Sequence, residues 1–175
     1  MEFPSVSNKV SYAQLARSSQ EDEEVMKRIE KVHGSKYSEF VEGMWHEGIK
    51  KPEMFINVDT YFMKDTFSAA KEAARTCIYV VDSLLSSKHE HGYAVVRPPG
   101  HHSGMKPQPH GFSFFNNLAI ATNYAMEVGK KKKVAIVDWD VHHGEGTQKL
   151  FYNRRDVLFV SLHRFDEGKF FPHVK

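Results

Sequence analysis

Apolar positions fall into two rhythms along the chain. Val25, Ile29 and Val32 recur at spacings of four and three, which predicts one buried stripe of a helix. Acids Glu21 to Glu24 lie ahead of it, where a helix N-terminus favours negative charge, and Gly34 is placed to end it. A second short helix is expected around Tyr37 to Trp45, broken by Lys50-Lys51-Pro52. The longest helical pattern is Thr66 to Leu85, where Phe67, Ala70, Ala74, Cys77, Val81 and Leu84 keep one face. Another helix starts at Asn116, with Leu118, Ala121, Ala125 and Val128 as its stripe and Gly129 as its C-cap. Phe55 to Tyr61 reads as extended, and His91 to Arg97 as a strand with Tyr93 to Val96 its core. Val134 to Val137 and Asp156 to His163 read as strands of the buried, parallel type. Residues 1 to 20 are polar and serine-rich and predict a loose arm before a single domain over 21–175. The order strand, helix, strand, helix, strand predicts an α/β fold: a parallel sheet with flanking helices.

Polarity changes abruptly at the ends of the strands. Lys133 to Gln148 reads KVAIVDWDVHHGEGTQ, an apolar run that turns polar within two residues. In open α/β sheets, ligands collect outside the carboxyl ends of strands. Side chains alternate along an extended chain, so Asp138, Asp140 and His142 are expected on one side, and Trp139, Val141 and His143 on the other. Two carboxylates and an imidazole on one side make a corner for a divalent metal. Asp140 and His142 can supply two ligands, which leaves Asp138 to orient a neighbour. Burying such a cluster without a metal or proton to balance it would be costly.

The earlier strand runs into Pro98-Pro99-Gly100-His101-His102. Two prolines stiffen the turn and Gly100 permits close backbone approach. Adjacent histidines on a rigid loop after a strand point to catalysis. Of the aromatics at 112, 114 and 115, Phe112 suits a pocket wall and the others suit the core. Asp59 is expected to be a solvated loop acid.

Composition narrows the class. The 175 residues are 41% hydrophobic, enough for one folded domain. A net charge of +2 gives no argument for nucleic acid. The single cysteine, Cys77, excludes an internal disulfide and suits a reducing compartment. No opening segment has the basic start and apolar centre of a signal peptide, and no apolar run approaches membrane-spanning length. A soluble protein of nucleus or cytoplasm is expected. Lys130 to Lys133 reads as a solvated connector rather than a localisation signal.

Four motifs, in order, resemble the zinc-dependent histone deacetylase family on its class II side: AVVRPPGHH (94–102), GFSFFNN (111–117), VDWDVHHGEGTQ (137–148) and VSLHRFDEGKFFP (160–172). The resemblance implies an arginase/deacetylase-like three-layer architecture, here incomplete, and hydrolysis of acetyl-lysine amides. It implies Zn2+ held by Asp140 and His142, with His101 and His102 handling the attacking water and the leaving amine. Asp138 would orient His101, and Glu145 would face His102. The Gly111 carbonyl would receive the substrate lysine N–H, and Phe112 and Phe171 would wall the acyl-lysine tunnel. A structural K+ would use the Ser161 hydroxyl with carbonyls of Asp138, Asp140, His142 and Leu162. Implied partners are acetylated histone tails or other acetyl-lysine proteins and a co-repressor complex, with no direct nucleic-acid or membrane contact.

The sequence departs from the family pattern in four places. Asn or Asp is usual where Glu145 stands, and Cys is frequent where Ser113 stands. The early histidine-proline segment is not visible before Val25. The motifs run only about midway through the family domain, so the third zinc ligand, a later Asp, and the glycine-rich tyrosine loop are expected to be missing. A catalytically dead truncated isoform, acting as a binding or dominant-negative module, is therefore an alternative function. A ureohydrolase is a weaker one, since it would want an acid at Gly144.

Overall fold

The computed structural model describes residues 19–48, 53–57, 59–87, 89–104 and 108–173, so the Lys50-Pro52 break and all of the arm expected over 1–20 except Ser19 and Gln20, which are already helical, lie outside the described residues. Helix α1 spans Ser19–His33, with Glu21 and Asp22 in its first turn and Lys31 and His33 in its last, matching charge to the helix dipole. Gly34 closes it at φ +81°, a conformation that costs glycine little. Helix α2 follows at Ser35–Gly48. Of the predicted stripe, Val25 and Ile29 are buried and Val32 is partly buried; with Tyr37, Val41 and Met44 of α2 they pack against Phe62, Phe67, Phe114 and Phe115 in one core cluster.

Phe55 to Tyr61 is not one extended segment. Strands β1 (Glu53–Phe55) and β2 (Tyr61–Met63) pair antiparallel around a turn. Asn57 causes the reversal, because its Oδ1 accepts from the Thr60 amide at 3.0 Å. Helix α3 occupies Thr66–Leu85, the bounds its periodicity predicts. Its buried Arg75 pairs with Asp22 of α1, and that hydrogen bond holds the Asp22 carboxyl below its ordinary pKa. Cys77 lies partly buried on α3, its thiol pushed up to about 11 by burial.

Helix α4 (Asn117–Glu127) is capped by Asn116, whose side chain accepts from the Ala119 amide. Strand β3 (Val134–Asp138) is followed by α5 (Glu145–Phe151) and β4 (Val157–Ser161). The two strands are parallel, in register from Val134↔Val157 to Asp138↔Ser161. A second core cluster joins Ile136 and Val157 to Ala119 of α4 and Phe151 of α5. This is the small parallel sheet with flanking helices of an incomplete α/β fold.

Two expectations about the sheet need correction. His91–Arg97 is not a strand: 91–96 have no assigned structure, and Tyr93 and Val95 are exposed. Its apolar alternation suits a strand, but a strand exists only through a ladder partner, and none pairs with it among the described residues. Nor are β3 and β4 buried on both faces. Ile136 and Val157 face the helices, whereas Val137, Leu158 and Val160 are open to solvent.

His33 provides a test of how α1 is joined to the rest. It accepts from the Asn116 amide through Nε2 at 2.9 Å, and burial pulls it from 6.5 to about 4. A group with a depressed folded pKa contributes stability that is whole above its unfolded value. That contribution is lost as pH falls from 6.5 through about 4. Urea unfolding should therefore show a stability loss between pH 7 and pH 4 that is smaller in His33→Gln, which cannot titrate. Equal slopes for the two proteins would contradict this.

Candidate active site and metal corner

The site forms where the Pro-Pro-Gly turn meets the end of β3 and the start of α5. A Cβ on Gly100 would lie 2.6 Å from the Phe115 carbonyl oxygen and 2.7 Å from the Asn117 nitrogen, so glycine alone fits there. The completely buried Asn116 fastens this junction. Its Nδ2 donates to the Ser103 carbonyl and to Thr147 Oγ1, each at 2.9 Å, while its Oδ1 accepts from Ala119 N at 3.0 Å. The Thr147 amide donates to the His101 carbonyl at 3.1 Å. The Ser103 and Tyr37 hydroxyls both donate to the Phe114 carbonyl, at 2.7 and 2.8 Å.

The histidines thus face their carboxylates. His101 Nδ1 lies 2.8 Å from Asp138 Oδ2, and His102 Nδ1 lies 2.7 Å from Glu145 Oε2. Their ring centroids are 4.0 Å apart. Burial works against the charge on His101, but the Asp138 hydrogen bond and nearby carboxylates outweigh it and raise its pKa. For His102 burial prevails over the Glu145 hydrogen bond, aided by the neighbouring imidazoles, and its pKa falls. Glu145 is held at about 2: burial would raise it, and the hydrogen bonds from His102 and His110 overcome that.

Beyond β3 the backbone brings Asp140 and His142 to the same side as Asp138. Asp140 Oδ1 is 4.0 Å from His101 Nε2, 2.9 Å from His142 Nδ1 and 2.8 Å from the His142 amide. Burial would raise the Asp140 pKa, but the His142 hydrogen bonds lower it. Trp139 points to solvent, and His143 turns away to Gln148 and stacks on His163 at 4.3 Å. Ligands about 2.0–2.1 Å from one tetrahedral zinc lie roughly 3 Å apart, so Asp140 and His142 fit as two of its donors. Ser161 is the register partner of Asp138, and the Leu162 amide donates to the Asp138 carbonyl at 2.8 Å. Of the potassium candidates, Asp138, Ser161 and Leu162 thus lie side by side.

Phe171 stands over the histidines, its ring 5.0 Å from His102 and 5.9 Å from His142. Gly111 is buried at φ +56°, so close to His102 that any Cβ would collide with the ring. Its carbonyl accepts the Ser113 hydroxyl at 3.3 Å. Phe112, 56% exposed, borders a cavity of about 310 Å³ with Tyr61, Met63, Arg97, Pro98 and Pro99.

Two residues play parts that the sequence does not announce. Asp59 is no solvated acid: it takes the Thr60 hydroxyl at 2.6 Å and the Gly111 amide at 3.4 Å, helping hold the loop beside His102. His110 makes a very short contact with Glu145 Oε1. Its signal in the sequence is only a histidine before Gly111-Phe112.

A family model described as "Histone deacetylase domain" matches residues 5–175. The chain is 45% identical over 114 residues to polyamine deacetylase HDAC10 of Rattus norvegicus, covering 65% of this chain and 19% of that protein. It is 35% identical over 162 residues to histone deacetylase HDA1 of Candida albicans, covering 87% of this chain and 19% of that protein. The solved HDA15 HD domain superposes with a TM-score of 0.76 at 36% identity, covering 85% of this chain and 41% of that one. The chain thus spans about a fifth of those full-length relatives.

Removing the Asn116 side chain should loosen the junction. Asn116→Ala leaves several buried partners unanswered, each costing about 1–3 kcal/mol. Denaturant unfolding should show a loss of at least that size, and a change below about 0.5 kcal/mol, typical of neutral surface sites, would refute the clamp.

Proposed function

Because the chain belongs to the histone deacetylase family, a family of hydrolases, we propose that its site serves zinc-dependent hydrolysis of acetyl-lysine amides. The observation that carries this is the histidine pair: each Nδ1 faces a carboxylate, and the pair adjoins the Asp140–His142 corner. Asp140 and His142 would hold the zinc. When bound, that ion supplies a water acidified to a pKa of about 7 and polarises the amide carbonyl. His102, kept neutral by burial, is suited to take a proton from the attacking water through Nε2. His101, whose pKa is raised, is suited to deliver one to the departing lysine amine. The Gly111 carbonyl would accept the substrate N–H, and Phe171 and Phe112 would line the approach. A potassium ion would brace the β3 end through the Ser161 hydroxyl and the carbonyls of Asp138, Asp140, His142 and Leu162.

Acetylated histone tails or other acetyl-lysine proteins are the proposed substrates, in nucleus or cytoplasm and with a co-repressor complex as partner. Among the described residues no helix is long and apolar enough to cross a membrane. A ureohydrolase is disfavoured because Gly144 occupies the position where an acid would complete its metal strand.

The test is zinc titration of the 175-residue chain, followed by assay on an acetyl-lysine peptide and, in parallel, an acetylated polyamine. One zinc per chain is expected, bound at least ten-fold more weakly in His142→Ala. Turnover should be slow, because the described corner offers two donors where a catalytic zinc usually takes three protein ligands. It should favour the peptide and vanish in the variant. Zinc binding indifferent to His142→Ala would overturn the metal corner. Zinc binding without turnover would leave a non-catalytic binding module.

A further inference from the structure

Glu145 stands where the family usually has Asn or Asp, and it is one methylene longer than Asp. Its two oxygens are used separately. Oε2 meets His102 Nδ1 at 2.7 Å, and Oε1 meets His110 Nε2 on the other side. His102, His110 and Glu145 bring ligand-type atoms within 4.8 Å of one another, with Glu145 2% exposed. His110 is itself held in place. The adjacent Pro109 carbonyl accepts from Asn57 Nδ2 at 2.8 Å, the Phe112 amide donates to Thr60 Oγ1 at 3.1 Å, and His110 bridges to Ser113. The His110 ring lies 5.8 Å from His102 and 6.2 Å from Phe171.

We propose that His110 is a positioning residue of this site: by donating Nε2–H to Glu145 Oε1, it fixes the carboxylate so that Oε2 retains the Nδ1 proton of His102. With its proton on Nδ1, a neutral His102 presents Nε2 as its basic edge. A carboxylate with three side-chain torsions loses considerable freedom when fixed, and a second charge-assisted hydrogen bond offsets that loss. A base oriented by a third group is the general arrangement of proton-transferring sites, and here the orienting group is itself oriented. Glu145 can reach both imidazoles, whereas a shorter Asp would reach only one of them. The Glu at 145 and the His at 110 therefore form one unit. The catalytic meaning of this rests on the deacetylase reading, but the hydrogen-bond arrangement does not.

The experiment reads the tautomer of His102. The full 175-residue chain, labelled with 15N-histidine and free of added metal, is measured at pH 8 by long-range 1H–15N correlation. The His102 signal is assigned by its loss in His102→Gln. In the unaltered chain His102 should be a single Nδ1–H tautomer. His110→Ala should give a tautomer mixture, His110→Gln should restore the single form by supplying another N–H donor, and Glu145→Asp should behave like His110→Ala. If His110→Ala does not fold, the contrast between His110→Gln and Glu145→Asp decides. An unchanged His102 tautomer in His110→Ala or Glu145→Asp, or no rescue by Gln, overturns the proposal. Because neither metal nor substrate is needed, a fixed tautomer in a chain without turnover counts against the proposed function alone.

Discussion

The carboxamide of Asn116 is the interaction on which the rest of the site depends. A buried amide must have its donors and acceptor answered, and this one uses both N–H groups and its oxygen. Those three bonds tie the histidine turn, the first turn of α4 and the helix α5. Since α5 begins at Glu145, the clamp that fixes Thr147 also sets the distance between Glu145 and His102. Tyr37 and Ser103 converge on the Phe114 carbonyl from the other side, and His33 takes the Asn116 amide. A polar network of this extent favours one arrangement of the backbone over its alternatives.

That arrangement places two adjacent imidazoles in different electrostatic surroundings. His101 lies among Asp138, Asp140 and Glu145, which together outweigh its burial. His102 has Glu145 but also imidazoles on both flanks, and burial prevails. Two neighbouring residues of one type are thus pushed apart in proton affinity, the condition under which one can serve as base and the other as acid. The divergence comes from backbone placement, because the histidines are consecutive and chemically identical.

Much of this was legible in the sequence where the cause is local. The helical stripes of α1 and α3 and the strand Val134–Asp138 follow from periodicities of 3.6 and 2, whereas Asp140 and His142 lie past the strand end, in a bend closed by the His142 amide on Asp140 Oδ1 at 2.8 Å. The Gly100 approach followed from the Pro-Pro-Gly turn. What was not legible depends on partners distant in the chain. Nothing local distinguishes Asp59 from a solvated acid until Gly111, 52 residues on, is seen to donate to it. His110 meets Glu145 across 35 residues. The segment 91–97 shows the opposite failure, since its local pattern is strand-like but no ladder partner stands beside it among the described residues.

The two halves of the site are built to different standards. The histidine pair is organised from the helical core: Asn116, Thr147 and Ser103 are all buried, and the side chains of His102 and Glu145 are only 4% and 3% exposed. The Asp140–His142 corner projects from the end of a strand whose outer face is open, and those side chains are 48% and 37% exposed. Hydrogen bonds that cross the core persist through local fluctuation, whereas a half-exposed pair held mainly to itself can rearrange at small cost. The histidine–carboxylate geometry is therefore set by folding of the helical layer, while the Asp140–His142 corner depends on whatever holds the end of β3. The Leu162 amide on the Asp138 carbonyl and the Arg164 amide on the Val141 carbonyl, 2.8 and 2.9 Å, are the bonds that do so here. Both come from the segment after β4, so the chain following the sheet, more than the sheet itself, governs how well Asp140 and His142, the proposed metal donors, are aimed.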